Sequence, residues 1–558
     1  ALLPENPELY EKYPDVDILI PQCLVISTQG FEDFIGRNDL TRFAEDHFRD
    51  EEVTRRFLEA DMPEWLVEDL RAFLKQVRYP LSIRSSSRLE DAHFQPYAGL
   101  YSTYMIPNNH TDPAVRLRHL VTAVKRVYAS TYFEGPKAFS VSTNNPHQEE
   151  AMAVIIQQVT GSPHGRYFYP AISGVAHSRN FYPVDRMKPE EGIAHIALGL
   201  GKTVVEGERA LRFSPKYPNL LPQFSTVDDI LANAQRYFYA LRIEDDSEPL
   251  DFERHGNLEK REIDEAESEF PIQMLASTYV PEEHRIRDTG YGAGAKVMTF
   301  AQVLKHKIFP LPEIISDLLD LGKKALGCPV EVEFSADLSQ NDAQKHRFYF
   351  LQLRPMVAHQ EQFQVSIFED EIKDAFCYAS RALGNGKSED IADIVYVKPG
   401  DFKPEATTEM AEEIGRINAA LTADKRPYLL VGPGRWGSSD RWLGIPVQWR
   451  HISGVKAMIE LRNQSLKVDP SQGSHFFQNI TSLGIYYATV TEDSEDFFDW
   501  DQVNGFPPVQ ETGYLRHVHL ETPILLKTDG RSSQCVMIAQ RKGSNMNMGR
   551  CRKKSGNF

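Results

Sequence analysis

A chain of 558 residues, 41% hydrophobic and 25% charged, has ordinary globular composition and is too long for one core, so three or four compact units are expected. A net charge of −17 argues against general nucleic-acid binding, and no apolar run reaches the roughly 18 residues of a membrane span. Five scattered cysteines (Cys23, Cys328, Cys377, Cys535, Cys551) without a CxxC pair read as reduced thiols of a cytoplasmic protein and argue against structural zinc.

The opening stretch ALLPENPELYEKYPDVD has neither the basic region nor the apolar region of a secretory signal. DILIPQCLVIST then reads as a strand, and FEDFIGRNDLTRFAED and DEEVTRRFLEADMPEWLVEDLRAFLKQV carry apolar residues at helical spacing. Residues 80–104, PLSIRSSSRLEDAHFQPYAGLYSTY, place Arg84 at the end of a short apolar strand before three serines, which suits either a turn or a phosphate site. AVRLRHLVTAVKRVYASTYF is a further amphipathic helix, and AMAVIIQQV, RYFYPAISGVAHS and IAHIALGL read as strands. The acid-rich residues 225–280 are expected to be helical, with two more helices over 298–327 and a strand pair, PVEVEFSADL and RFYFLQLRP, behind them. These elements predict an α+β unit over 1–360, then a helical connector over 361–398. A smaller α/β domain is expected over 399–540, with four of the five tryptophans, followed by a basic, disordered tail over 541–558.

Several of these segments carry chemistry. In VEVEFSADL the alternation of a strand puts Glu331 and Glu333 on one face about 7 Å apart, where paired carboxylates suit Mg²⁺ held with phosphate oxygens or decorate a solvent-facing strand. Gln352 and Arg354 share a face of the partner strand, and Arg354 is a bidentate anion donor; a cross-strand salt bridge is the bland alternative. Gln157 and Gln158 end a strand that suits an adenine-binding edge or a core. Lys202, in the glycine-rich LGLGKTVVEG, suits a phosphate contact or a solvated surface.

Taken in order, IRSSSRLEDAHFQPYAGLYSTY, MAVIIQQV, SGVAHS, GLGKTVVEG and VEVEFSADL…YFLQLRP resemble the nucleotide-binding domain of phosphoenolpyruvate synthase and pyruvate phosphate dikinase, over residues 20–356. The resemblance implies an ATP-grasp fold, with Arg84 and Arg354 on phosphates and Glu331 and Glu333 on Mg²⁺ or ribose. It also implies Gln352 in the same cleft, and Ala98–Gly99 as the phosphate cover. The implied chemistry splits ATP to AMP and phosphate and passes a phosphoryl group to a histidine. Glu90 and Asp91 are expected to fix the turn after Arg84, and Arg88 has no assigned role.

Three features depart from that family. No Gly-Gly-Lys segment precedes the first strand, so the chain is either a fragment beginning within the domain or a binder of ATP without that lysine. Lys202 stands where the family has a glutamate, and the family's Thr-Cys-His-Ala phosphohistidine segment is missing. The C-terminal unit instead carries VGPGRWGSSDRWLGIPVQW and VDPSQGSHFFQNITSLGIYY, an arrangement that resembles a branch of bacterial synthase-like proteins. Arg435 within its glycine turn suits an anion site, and His475 suits a phosphoryl acceptor, a general base or a structural role. Two functions remain: a Mg²⁺- and ATP-dependent phosphotransferase working with an acceptor domain or protein, and a nucleotide-sensing pseudoenzyme that regulates a partner. Neither nucleic acid nor a membrane is an expected partner.

Overall fold

The structure, a computed structural model, describes residues 3, 6–40, 49–87, 90, 98–143, 151–244, 257–340, 344–356, 365–462, 474–491, 494–530 and 532–539. The expected basic tail, Arg88, Asp91 and Cys551 lie outside the described residues.

The first lobe is an antiparallel sheet in the order Cys23–Ile26, Ala153–Gln158, Leu81–Ser86, Tyr104–Ile106. Helices Thr28–Arg37, Asp50–Glu59, Glu64–Gln76 and Pro113–Ser130 cover one face around Phe34, Phe57, Leu70 and Tyr128. The longest of these starts with Pro113 at its first turn and Asp112 as cap, the Ala114 N–H donating to its Oδ1 at 2.8 Å. DILIPQCLVIST, expected as one strand, breaks at its proline into Val16–Leu19 and Cys23–Ile26, which serve different sheets.

The second lobe is built on a six-stranded sheet ordered Val16–Leu19, His346–Pro355, Val330–Asp337, Ile172–His177, Ile193–Ala197, Leu211–Phe213. Apart from a register shift between Glu333 and Phe334, its alternation makes two unlike faces. Val330, Val332, Phe334, Ala176, Ala194 and Ile196 form the core with the Leu311–Leu326 helix. The opposite face is polar. Where one helical stretch was expected over 225–280, the described residues mix short helices, Val227–Asn233 and Phe270–Leu275, with the strands Tyr237–Arg242 and Leu258–Glu262, which pair in a second sheet. The run of aromatic residues that opens YFYALR favours strand over the helix-favouring acids around it.

The third unit has three layers. Its central sheet runs Arg381–Leu383, Tyr486–Thr491, Val455–Arg462, Tyr428–Pro433, Asp393–Val397, Leu515–His519, Pro508–Glu511, and the Tyr486, Val455, Tyr428 and Asp393 strands are parallel. Helices Thr407–Ala423, Trp449–Ile452 and His475–Ser482 pack on one side and a five-stranded sheet on the other. The expected helical connector over 361–398 needs correction. Among its described residues it holds one short helix, Glu369–Lys373, and the strands Cys377–Ala379, Arg381–Leu383, Gly386–Ser388 and Asp393–Val397, all built into this unit's sheets. Among the described residues no helix is long and apolar enough to cross a membrane.

Phe139 and Tyr182, from the N-terminal lobes, sit in the helix-side core of the third unit. Phe139 meets Trp449 edge-on at 5.9 Å, and Phe181 meets Phe477 at 5.6 Å. The units are joined by apolar packing as well as by chain.

Candidate functional site

The polar face of the six-stranded sheet is a grid set by register. Residues directly opposite in antiparallel strands share a face, so one row reads Arg354, Glu331, His177 and the next reads Gln352, Glu333, Val175, His195, Arg212. Glu331, Glu333, Gln352 and Arg354 are thus brought together, as the hairpin alternation predicted. His177, His195 and Arg212 extend the face and were missed. Their signal was present, since SGVAHS and IAHIAL set each histidine at an alternate position among apolar residues, but only the sheet order shows which strands adjoin.

Arg84 reaches this grid from the other lobe. It lies within the strand Leu81–Ser86, two residues before its end, and donates from Nη2 to Gln352 Oε1 at 2.6 Å, with Glu333 Oε2 at 3.4 Å. Ser85 and Ser87 fix the turn behind it: Ser85 Oγ donates to Glu90 Oε2 at 2.9 Å, and the Glu90 N–H donates to Ser87 Oγ at 3.2 Å. Glu90 also stands 3.9 Å from Arg354 Nη2. Glu331 Oε2 accepts from His177 Nε2 at 2.7 Å, with both groups buried.

Electrostatics distinguish two parts of the face. Burial alone would raise the Glu333 carboxyl, but Arg84, then His475 and Arg354, outweigh it and hold the group far below the usual carboxylate range. Glu333 is therefore a fixed anion. His195 is pushed well below its usual value by burial first, then by His177, Arg212 and Arg435, and is neutral. A buried neutral histidine opposes protonation in the folded state only, so the unfolded chain gains protons below about pH 6.5 and stability falls there. His195→Gln is expected to show a smaller loss of melting temperature between pH 7 and pH 5 than wild type; an unchanged loss would remove His195 from the acid response.

Other expected residues are placed less uniformly. Gln157 lies opposite Ser82 and shares the sheet face of Arg84, whereas Gln158 lies opposite Leu81 on the other face. Lys202 is turned to Glu206 at 3.4 Å and to the Tyr239 ring at 5.0 Å. Gly99 has φ +68°, a conformation that favours glycine.

The third unit enters the site directly. Its helix His475–Ser482 is capped by Ser474, whose Oγ accepts from the Phe477 N–H at 3.2 Å. The first residue of that helix, His475, stands with Nε2 3.8 Å from Glu333 Oε1. Its Nδ1 faces Gly99 so closely that a Cβ there would lie 2.7 Å away. Neither His475 Nε2 nor Glu333 Oε1 has a hydrogen-bond partner among the described residues, though both are shielded from solvent. Arg435 and Ser438 both donate to the Gly207 carbonyl, at 3.0 and 3.1 Å.

Metal fit rests on the same orphaned oxygen. No cluster of three or more His, Cys, Asp or Glu suited to a metal occurs among the described residues. Mg²⁺ commonly takes one or two carboxylates and completes its shell with substrate phosphates and water. Glu333 Oε1, buried and without a partner beside Glu331, fits that arrangement.

Two lobes facing each other across arginines, acids and an amide form a cleft suited to a polyphosphate ligand. The family model described as pyruvate phosphate dikinase, AMP/ATP-binding domain, matches residues 6–374, and the chain belongs to that family. A search of curated proteins finds no match to the chain.

Proposed function

We propose that the chain is an ATP-dependent phosphotransferase of the phosphoenolpyruvate-synthase type, with an ATP-grasp-like cleft and His475 as phosphoryl acceptor. The observation that supports this most is the approach of His475 Nε2 to the Arg84–Glu333–Gln352 group from a separate unit. Its Nδ1 faces Gly99 and its Nε2 faces Glu333, so Nε2 is the nitrogen turned toward the cleft.

In this reading Arg84 and Arg354 grip the polyphosphate and Gln352 orients it. Glu333, with Glu331 beside it, would hold Mg²⁺, which would supply charge neutralisation for the phosphates. The Nε2 lone pair forms an N–P bond at the β-phosphorus as the α,β-bridging bond breaks and AMP leaves with that oxygen. Water cleaves the β,γ bond and releases inorganic phosphate, which leaves one phosphoryl group on the histidine. Positioning and charge neutralisation supply most of the acceleration of such a transfer.

The competing reading is a nucleotide-sensing module. It is favoured by Lys202, a cation at the family's glutamate position that engages Glu206 and Tyr239. AMP formation from ATP and Mg²⁺ separates the two. Wild type is expected to form AMP and Glu333→Gln to form it at least about tenfold more slowly. Tight ATP binding without AMP would sink the enzyme reading.

A further inference from the structure

The end of the His475–Ser482 helix does more than carry an imidazole. His475 and Asn479 are one turn apart and share a face. Asn479 Nδ2 donates to the Ala98 carbonyl at 3.0 Å, and the Ala98 N–H donates to Asn479 Oδ1 at 2.8 Å. Both residues are buried. One side-chain amide therefore uses its donor and its acceptor on the backbone of one residue, as a neighbouring strand would.

That pairing reads backbone geometry, not side-chain identity. It forms only when the Ala98–Gly99 turn has one conformation and the helix has one position. The next residue, Gly99, lies directly under His475 Nδ1. At the same helix end Ser474 packs within 3.3 Å of a Cβ built on Gly207, and Arg435 and Ser438 hold the Gly207 carbonyl. The third unit thus grips both glycine turns that border the cleft. Apolar docking through Phe477, Phe181 and Tyr182 would hold the helix without needing the amide. The amide adds a dependence on the conformation of the turn.

We propose that Asn479 is a positioning residue that couples the seating of His475 to the closing of the Ala98–Gly99 turn over the phosphates. The coupling rests on the phosphotransferase reading above. When the turn is open, Asn479 loses both partners and the imidazole is not held at the β-phosphorus. When the turn is closed, the same helix end seals the cleft and presents Nε2.

The test uses the full chain with β-labelled ATP and Mg²⁺, comparing wild type, Asn479→Ala and Asn479→Asp. Labelling of His475, ATP affinity, amide exchange at Ala98 and melting curves are measured together. Asn479→Ala is expected to label about tenfold or more slowly, as a misplaced nucleophile does, with ATP affinity within about threefold and protection at Ala98 lost. Asn479→Asp keeps the size of the side chain and its acceptor for the Ala98 N–H, so it decides the matter if the alanine variant fails to fold. It is expected to label more slowly than wild type, with the Ala98 amide still partly protected. Equal labelling in wild type and the folded variants overturns the coupling alone, as does a loss confined to ATP affinity. A wild-type chain that binds ATP and never labels overturns the phosphotransferase reading and the coupling with it.

Discussion

His475→Asn is expected to abolish the phosphoryl label on the chain, by about three orders of magnitude or more, while ATP affinity stays within about threefold. Asparagine fits the space and keeps polarity at the helix start, but its amide nitrogen has no basic lone pair. Arg84, Gln352 and Arg354 remain to hold the polyphosphate, so binding is expected to survive. The label should be acid-labile and base-stable, as a phosphoramidate is, and peptide mapping should locate it at the GSHFF segment. A label that persists in the variant would move the acceptor elsewhere. Glu333 loses one of the neighbours that hold it ionised, but Arg84 is the larger influence and stays in place.

Arg84→Met is expected to lower ATP turnover by about 10²- to 10³-fold, the usual loss when a preorganised charge donor is removed. It should also destabilise the chain. Arg84 bridges the lobes through Gln352 and Glu333, and without it the Glu333 carboxylate keeps its burial but loses its main counter-charge. Breaking a fully buried pair costs about 3–5 kcal/mol, and partial solvent access here brings the expectation to about 1–3 kcal/mol. The sign with pH follows from the depressed folded pKa. The stabilisation is fully present above the unfolded glutamate value of about 4.3 and is lost as pH falls through the folded value. The gap in melting temperature between wild type and Arg84→Met should therefore be widest near neutrality and shrink below about pH 4. A gap independent of pH would mean that the loss is one of packing.

The acid–amide–arginine hairpin was legible because both of its strands lie within thirty residues and alternate plainly. Its extension through His177, His195 and Arg212 was not. Pairing of Ile172–His177 with Val330–Asp337 spans more than 150 positions and leaves no local trace beyond the alternation itself. Arg84 was singled out by the apolar run before it and a family pattern, although its strand continues to Ser86, whereas its reach to Gln352 depends on how two lobes face each other. His475 could be singled out by chemistry but not located, because the contact that brings it to Glu333 is tertiary throughout. The misread connector has a related cause. Arg381–Leu383 and Gly386–Ser388 are too short and too polar to register as strands alone, and they exist as strands because Tyr486–Thr491 and Leu525–Asp529 stand ready beside them.

Phe139 and Tyr182 bear on how the molecule can be handled. Each belongs by sequence to the nucleotide-binding lobes and by packing to the interior of the third unit. Severing the chain between those parts would leave an apolar wound on each fragment and would strip the helix carrying His475 of Tyr182 and Phe181 as ring neighbours. Isolated pieces would then report on the injury more than on the intact protein. The intact polypeptide is the smallest object on which the chemistry of this cleft can be fairly judged.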